Sequence, residues 1–169
     1  FGGPVNKVAS LFADGLLTQG VYGPEAVKIL ASMVPPFGVT LSWVLARKKY
    51  SRVESENIKI AFPMGICMIT EGVIPIALKD PIRVIAASSI GASIGGGLAM
   101  LWNVGSPVPS GGMFIVPAMK NPLGFLVALG VGTIICASIL ILTKKTAVEE
   151  EILEEEEELD LSSISISDN

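Results

Sequence analysis

Glu71 is the residue in this sequence best placed to do chemistry. It sits inside a long apolar run, Ile60 to Leu78, within Ile69-Thr70-Glu71-Gly72-Val73-Ile74-Pro75, with Pro63 upstream and Pro75 downstream. An ionised carboxylate at the centre of a bilayer costs roughly 2.5 to 3.5 kcal/mol on insertion scales, so it persists only beside a partner, water or a polar ligand. Glycine and proline in such a run release backbone N–H and C=O groups, and non-helical backbone at that depth survives only when buried in protein or lining a cavity. The stretch reads as a broken or re-entrant segment that presents Glu71, flanked by Thr70 and Gly72, to something polar.

A second irregular apolar stretch runs from Asn103 to Pro122 and contains Gly105-Ser106-Pro107-Val108-Pro109-Ser110-Gly111-Gly112. It reads as a loop dipping into the membrane or lining a cavity, with a simple extracellular loop as the competing reading. The N–H groups of Gly111 and Gly112 could face a sugar or an anion closely, because no side chain blocks the approach. Lys7 and Asp14 are seven residues apart, two helical turns, and share a helix face. That suits a helix turned toward a bundle interior; a lysine snorkelling at the interface is the alternative.

Other chemistry is excluded by residue type. The sequence has no histidine, which removes His metal ligands, a His general base and phosphohistidine chemistry. Cys67 and Cys136 lie in apolar runs without metal-ligand spacing and behave as small hydrophobes. No metal, no cofactor and no catalytic residue is expected in this chain.

The elements that must position these residues are membrane helices. Half of the 169 residues are hydrophobic and the mean hydropathy is +0.63. The apolar runs reach the roughly 20 residues needed to cross hydrocarbon. Of sixteen acidic residues ten lie from Glu149 onward, where there is no basic residue, leaving six against twelve Lys and Arg in the preceding part. The expected layout is a basic membrane part over residues 1–145 and an acidic, disordered cytoplasmic tail over 146–169. The chain opens at Phe1 without Met or a signal sequence, and so reads as a piece of a longer polypeptide.

Phe1 to Gly20 is a poor span, interrupted by Lys7 and Asp14. Ala26 to Ala46 spans, is expected to break near its middle at Pro35-Pro36, and stops at Arg47-Lys48-Lys49, a cytoplasmic mark by the positive-inside rule. Asp80 before Pro81 forces a bend. Val84 to Trp102 spans and carries Ala87, Gly91 and Gly95 at the spacing that lets helices approach closely. Leu123 to Leu142 is the final span, ending at Lys144-Lys145. With both irregular stretches re-entrant, Asp80 is cytoplasmic and Asn103 external, and Lys79 and Arg83 favour that arrangement.

Taken together, Gly2-Gly3-Pro4-Val5-Asn6-Lys7, Ile69-Thr70-Glu71-Gly72-Val73-Ile74-Pro75, Asp80-Pro81-x-Arg83 and Pro109-Ser110-Gly111-Gly112 closely resemble the fructose-type membrane component, IIC, of the bacterial phosphoenolpyruvate-dependent sugar phosphotransferase system. The resemblance covers the C-terminal half of that family, Phe1 to about Leu142. It implies an all-α integral membrane protein with several transmembrane helices and two re-entrant hairpins, Ile58 to Lys79 and Asn103 to Asn121. It implies a homodimer in the bacterial cytoplasmic membrane. Glu71 is implied as a sugar ligand and Asn6 and Lys7 as polar support. Many fructose-type members carry His where this chain has Ser110, which can exchange hydrogen bonds with a sugar but cannot act as a base near neutral pH. Fructose is the expected substrate, with mannosylglycerate, mannose or mannitol-like sugars as alternatives.

The family's phosphoryl donor is a phosphocysteine on a IIB domain, charged by a phosphohistidine IIA domain. Neither is present here, so the implied partners are IIB, IIA, the N-terminal half of the permease, membrane lipid and the sugar, with no nucleic acid. Two rivals remain. One is an ion-coupled carrier in which Glu71 takes up a proton and Lys79 or Lys7 is its counter-charge. The other is a truncated half that is inactive without its N-terminal spans.

Overall fold

Among the described residues, three stretches are apolar for long enough to cross hydrocarbon as single helices, and each forms one unbroken helix. The computed structural model describes residues 3–144. The long helices are α2 (Gly23–Leu45), α5 (Pro81–Leu101) and α6 (Pro122–Thr143). Shorter ones accompany them: α1 (Pro4–Thr18), α3 (Arg52–Ile66) and α4 (Ile74–Lys79). The described residues form no strand beyond an isolated antiparallel bridge between Gly105 and Lys120. Lys145 and the acidic tail lie outside the described residues.

Small residues set how the three long helices meet. A Cβ on Gly91 would strike the Gly132 carbonyl and Cys136, and one on Gly95 would meet the Ala128 carbonyl and Gly132. Rising numbers on α5 face falling numbers on α6, so the two run antiparallel. Gly38 faces Cys136 and Val34 faces Gly132, so α2 and α6 run parallel. The last turns of α2 and α6 and the first turn of α5 therefore share one end of the bundle.

That end is fastened by charge. The last carbonyls of a helix lack intrahelical donors, and Lys49 Nζ supplies them to α6, reaching Ile141 O and Lys144 O at 2.7 Å each. Ser51 caps α3 and Glu54 completes the capping box. The same Glu54, buried, pairs with buried Lys144 at 2.9 Å.

Both irregular stretches return to the end of the bundle they leave. The chain enters α3 beside Lys144, reverses after Ile66, and comes back through α4 to Asp80 at the head of α5; Gly72 lies against Ala61 and Met64 on the way. Pro63 stays inside α3 and Pro75 opens α4, so the break falls between them at Cys67–Thr70. At the opposite end, residues 103–121 close on themselves through the paired backbones of Gly105 and Lys120, and Ser106 N–H donates to Tyr22 O. The tips of the two stretches touch: Gly112 abuts Ile66 O and Met68 N.

One expectation is corrected. Pro35-Pro36 does not break the second helix, which runs from Gly23 to Leu45 with both prolines inside it. The carbonyl that Pro36 leaves without a helical donor is satisfied by a tertiary hydrogen bond, described next.

Candidate functional site

Glu71 opens a short 3-10 turn, Glu71–Val73, and its position follows from the way α3 stops. Met68 takes φ 65°, Ile69 N–H reaches back to Met64 O and Met68 N–H to Gly65 O. This is a Schellman ending, with a methionine where glycine is usual. The turn then docks on the middle of α2, where the Thr70 hydroxyl donates to Ser32 O at 3.0 Å. Ser32 O is free to accept because Pro36, four residues on, has no N–H. The prolines that suggest a break instead create the acceptor that seats the turn bearing Glu71.

Asn6, Thr70 and Glu71 line one cavity of about 550 Å³, together with Ser10, Lys28 and Ser32. Pockets for small molecules run to roughly 300–1,000 Å³. The walls come from α1, the first half of α2, the turn at 68–71 and Met100 of α5. The exposed Glu71 side chain makes no hydrogen bond or ion pair with any described residue, so its carboxylate is available to a ligand. Lys7 and Lys79, the counter-charges a proton-coupled carrier would use, do not pair with it.

Lys28 is the charged residue that sequence reasoning missed. Its Nζ lies 2.7 Å from Asp14 Oδ1 and 2.7 Å from Glu25 Oε1, with the lysine side chain 11% exposed. The contact with Asp14 is a hydrogen bond that ties α1 to α2. Fully buried Glu25 meets the same ammonium as an ion pair, and its carboxylate makes no other salt bridge among the described residues. The hydrogen bond from Lys28 holds the Asp14 carboxyl below the usual carboxylate range. A signal for Lys28 existed, since it is the cation inside the apolar run Ala26 to Ala46.

Lys7, Gly72, Ser110, Gly111 and Gly112 lie outside the cavity lining. Lys7 and Ser110 are exposed. Gly72 is a packing residue, since a Cβ there would meet Met64 Sδ at 2.9 Å and Ala61 Cα at 3.0 Å. Gly111 and Gly112 have φ 137° and 58°, backbone that side chains disfavour; Gly111 packs on Ile115 of its own stretch and Gly112 forms the joint between the two tips.

Sequence comparison finds similar proteins. The chain is 41% identical over 133 residues to the PTS system fructose-specific EIIB'BC component of Haemophilus influenzae, a match covering 79% of this chain and 24% of that protein. It is 42% identical over 138 residues to the PTS system fructose-specific EIIC component of Haloferax volcanii, covering 82% and 37%. The chain is a homologue of the fructose-type IIC components. The fructose permease IIC component of Bacillus amyloliquefaciens is 38% identical over 148 residues, covering 88% of this chain and 48% of that IIC protein. The chain thus spans about a quarter to a half of the length of these IIC relatives. No family model and no solved structure matches it.

Proposed function

We propose that this chain forms the sugar-holding part of a IIC permease, with fructose bound in the cavity lined by Asn6, Lys28, Ser32, Thr70 and Glu71. The observation that carries the proposal is Glu71: an unpartnered carboxylate, on the motif shared with the IIC family, opening into a cavity of ligand size. A carboxylate accepts hydrogen bonds from sugar hydroxyls, and such charge-assisted bonds are the strong ones. Accepting from the reacting hydroxyl also raises the nucleophilicity of its oxygen. Asn6 and Thr70 add neutral donors and acceptors.

The phosphoryl group comes from a IIB domain charged by IIA. Relatives named EIIB'BC and EIIABC join those letters to C in one protein, and this chain has no histidine to carry a phosphoryl group. The basic end with Arg47, Lys48 and Lys144 is cytoplasmic by the positive-inside rule. In that orientation the two irregular stretches are re-entrant hairpins, and the cavity, set beside the first half of α2, lies in the external half of the bundle. Phosphorylation from inside then requires a rigid-body movement of the hairpin-bearing part in a homodimer of the cytoplasmic membrane.

Membrane vesicles carrying the complete permease test this reading. Glu71→Gln should lower phosphoenolpyruvate-dependent fructose phosphorylation by about tenfold or more, the worth of a hydrogen bond to a charged group. Wild-type rates in that variant would overturn the assignment. Uptake abolished by a protonophore but independent of phosphoenolpyruvate would favour the ion-coupled carrier instead.

A further inference from the structure

We propose that Lys28 is a specificity residue of this cavity, which grips a neutral sugar through its spare N–H while its charge is consumed by Asp14 and Glu25, so that a phosphorylated sugar is disfavoured. The inference rests on the proposed function and adds to it a residue and a selection rule. An ammonium group has three N–H donors. Lys28 directs one to Asp14 and at most one more to Glu25, each 2.7 Å away, which leaves a third on a side chain that lines the cavity.

The charge balance around that donor is negative. Lys28 and Glu71 are the charged residues of the lining, and Asp14 and Glu25, just behind it, both contact Lys28 at 2.7 Å. Glu25 sits in the first turn of α2 and offsets the positive end of that helix, which would otherwise attract an anion. A neutral polyol brings a hydroxyl donor to Glu71 and an acceptor to Lys28. A phosphate ester brings two further negative charges to a site with an acidic excess and little screening. Adding the phosphoryl group thus weakens the hold on the product and favours its release.

Calorimetric titration of the complete membrane protein with fructose and with a fructose monophosphate tests this. Wild type should bind fructose and bind the ester at least about tenfold more weakly. Lys28→Met should weaken fructose binding by about tenfold or more. Because that change strands buried Glu25, the double variant Glu25→Gln, Lys28→Met is measured beside it, and it should show the same loss while retaining a cooperative thermal transition. Asp14→Asn, which keeps an acceptor for Lys28 but removes a charge, should raise the ester's affinity relative to fructose by about three- to tenfold. Equal binding of both ligands by wild type, or wild-type fructose affinity in the double variant, would overturn this inference and leave the proposed function standing. A wild-type protein that binds neither ligand would overturn both.

Discussion

Two clusters of buried charge sit at different heights in this bundle, and they are finished differently. At the end where α2 and α6 stop, Glu54 completes a capping box and pairs with Lys144, while Lys49 occupies the last carbonyls of α6. Around Lys28, Asp14 is hydrogen-bonded and partly exposed, fully buried Glu25 has only the shared ammonium as an ion-pair partner among the described residues, and a cavity opens alongside. Buried polar groups in proteins are normally satisfied, and an exception calls for a cause. The completed cluster fastens helix ends. The incomplete one keeps bonding capacity in reserve beside the cavity assigned to the sugar.

Breaking the completed cluster should have the largest effect. Glu54→Ala removes one side of the buried Glu54–Lys144 pair and should cost roughly 3–5 kcal/mol in stability, read as a fall in the thermal midpoint in detergent. Replacing both residues with methionine should recover most of that loss, since an apolar pair avoids the desolvation cost. If the double variant is as unstable as Glu54→Ala, the pair does more than fasten the helix ends.

Filling the helix contact is the next largest change. Gly91→Leu drives a side chain into the Gly132 carbonyl and Cys136, and should cost roughly 1–3 kcal/mol by overpacking. Thr70→Val should cost about 1–3 kcal/mol by leaving Ser32 O unsatisfied. It should also displace Glu71, so fructose affinity falls with stability, whereas Gly91→Leu lowers stability alone. Comparing affinity with midpoint across these two variants separates a change near the cavity from one remote from it.

The smallest effect is that of pH on the α1–α2 tie. Lys28 lowers the Asp14 pKa on folding, so the stabilisation is fully present above the ordinary carboxylate value and is lost as pH falls through the lowered one. A fluorophore on α1 should report an unchanged distance to α2 from neutral pH down to the ordinary carboxylate range. Separation should begin only below it.

Much of this architecture is legible in the residues. The three spans follow from apolar length, Ala87, Gly91 and Gly95 mark the helix contact, and glycine and proline mark both irregular stretches. Tertiary chemistry hid the rest. Pro35-Pro36 reads as a break because the sequence does not reveal that the Thr70 hydroxyl, far along the chain, fills the carbonyl left by Pro36. Helical spacing joins Asp14 to Lys7, yet Asp14 turns across to Lys28 of the next helix. Glu71, Thr70 and Asn6 meet at one cavity, while Gly112 packs where the two tips touch.

Those contrasts meet in one labelling measurement on the complete permease. In a Cys67→Ala, Cys136→Ala background, single cysteines at Ser32, inside the cavity, and at Ser110, outside it, are modified with and without saturating fructose. Fructose should slow labelling at Ser32 and leave Ser110 unchanged. Protection at Ser110 with none at Ser32 would contradict the placement of the sugar between α1, α2 and Glu71, and would move it to the glycine-rich tip.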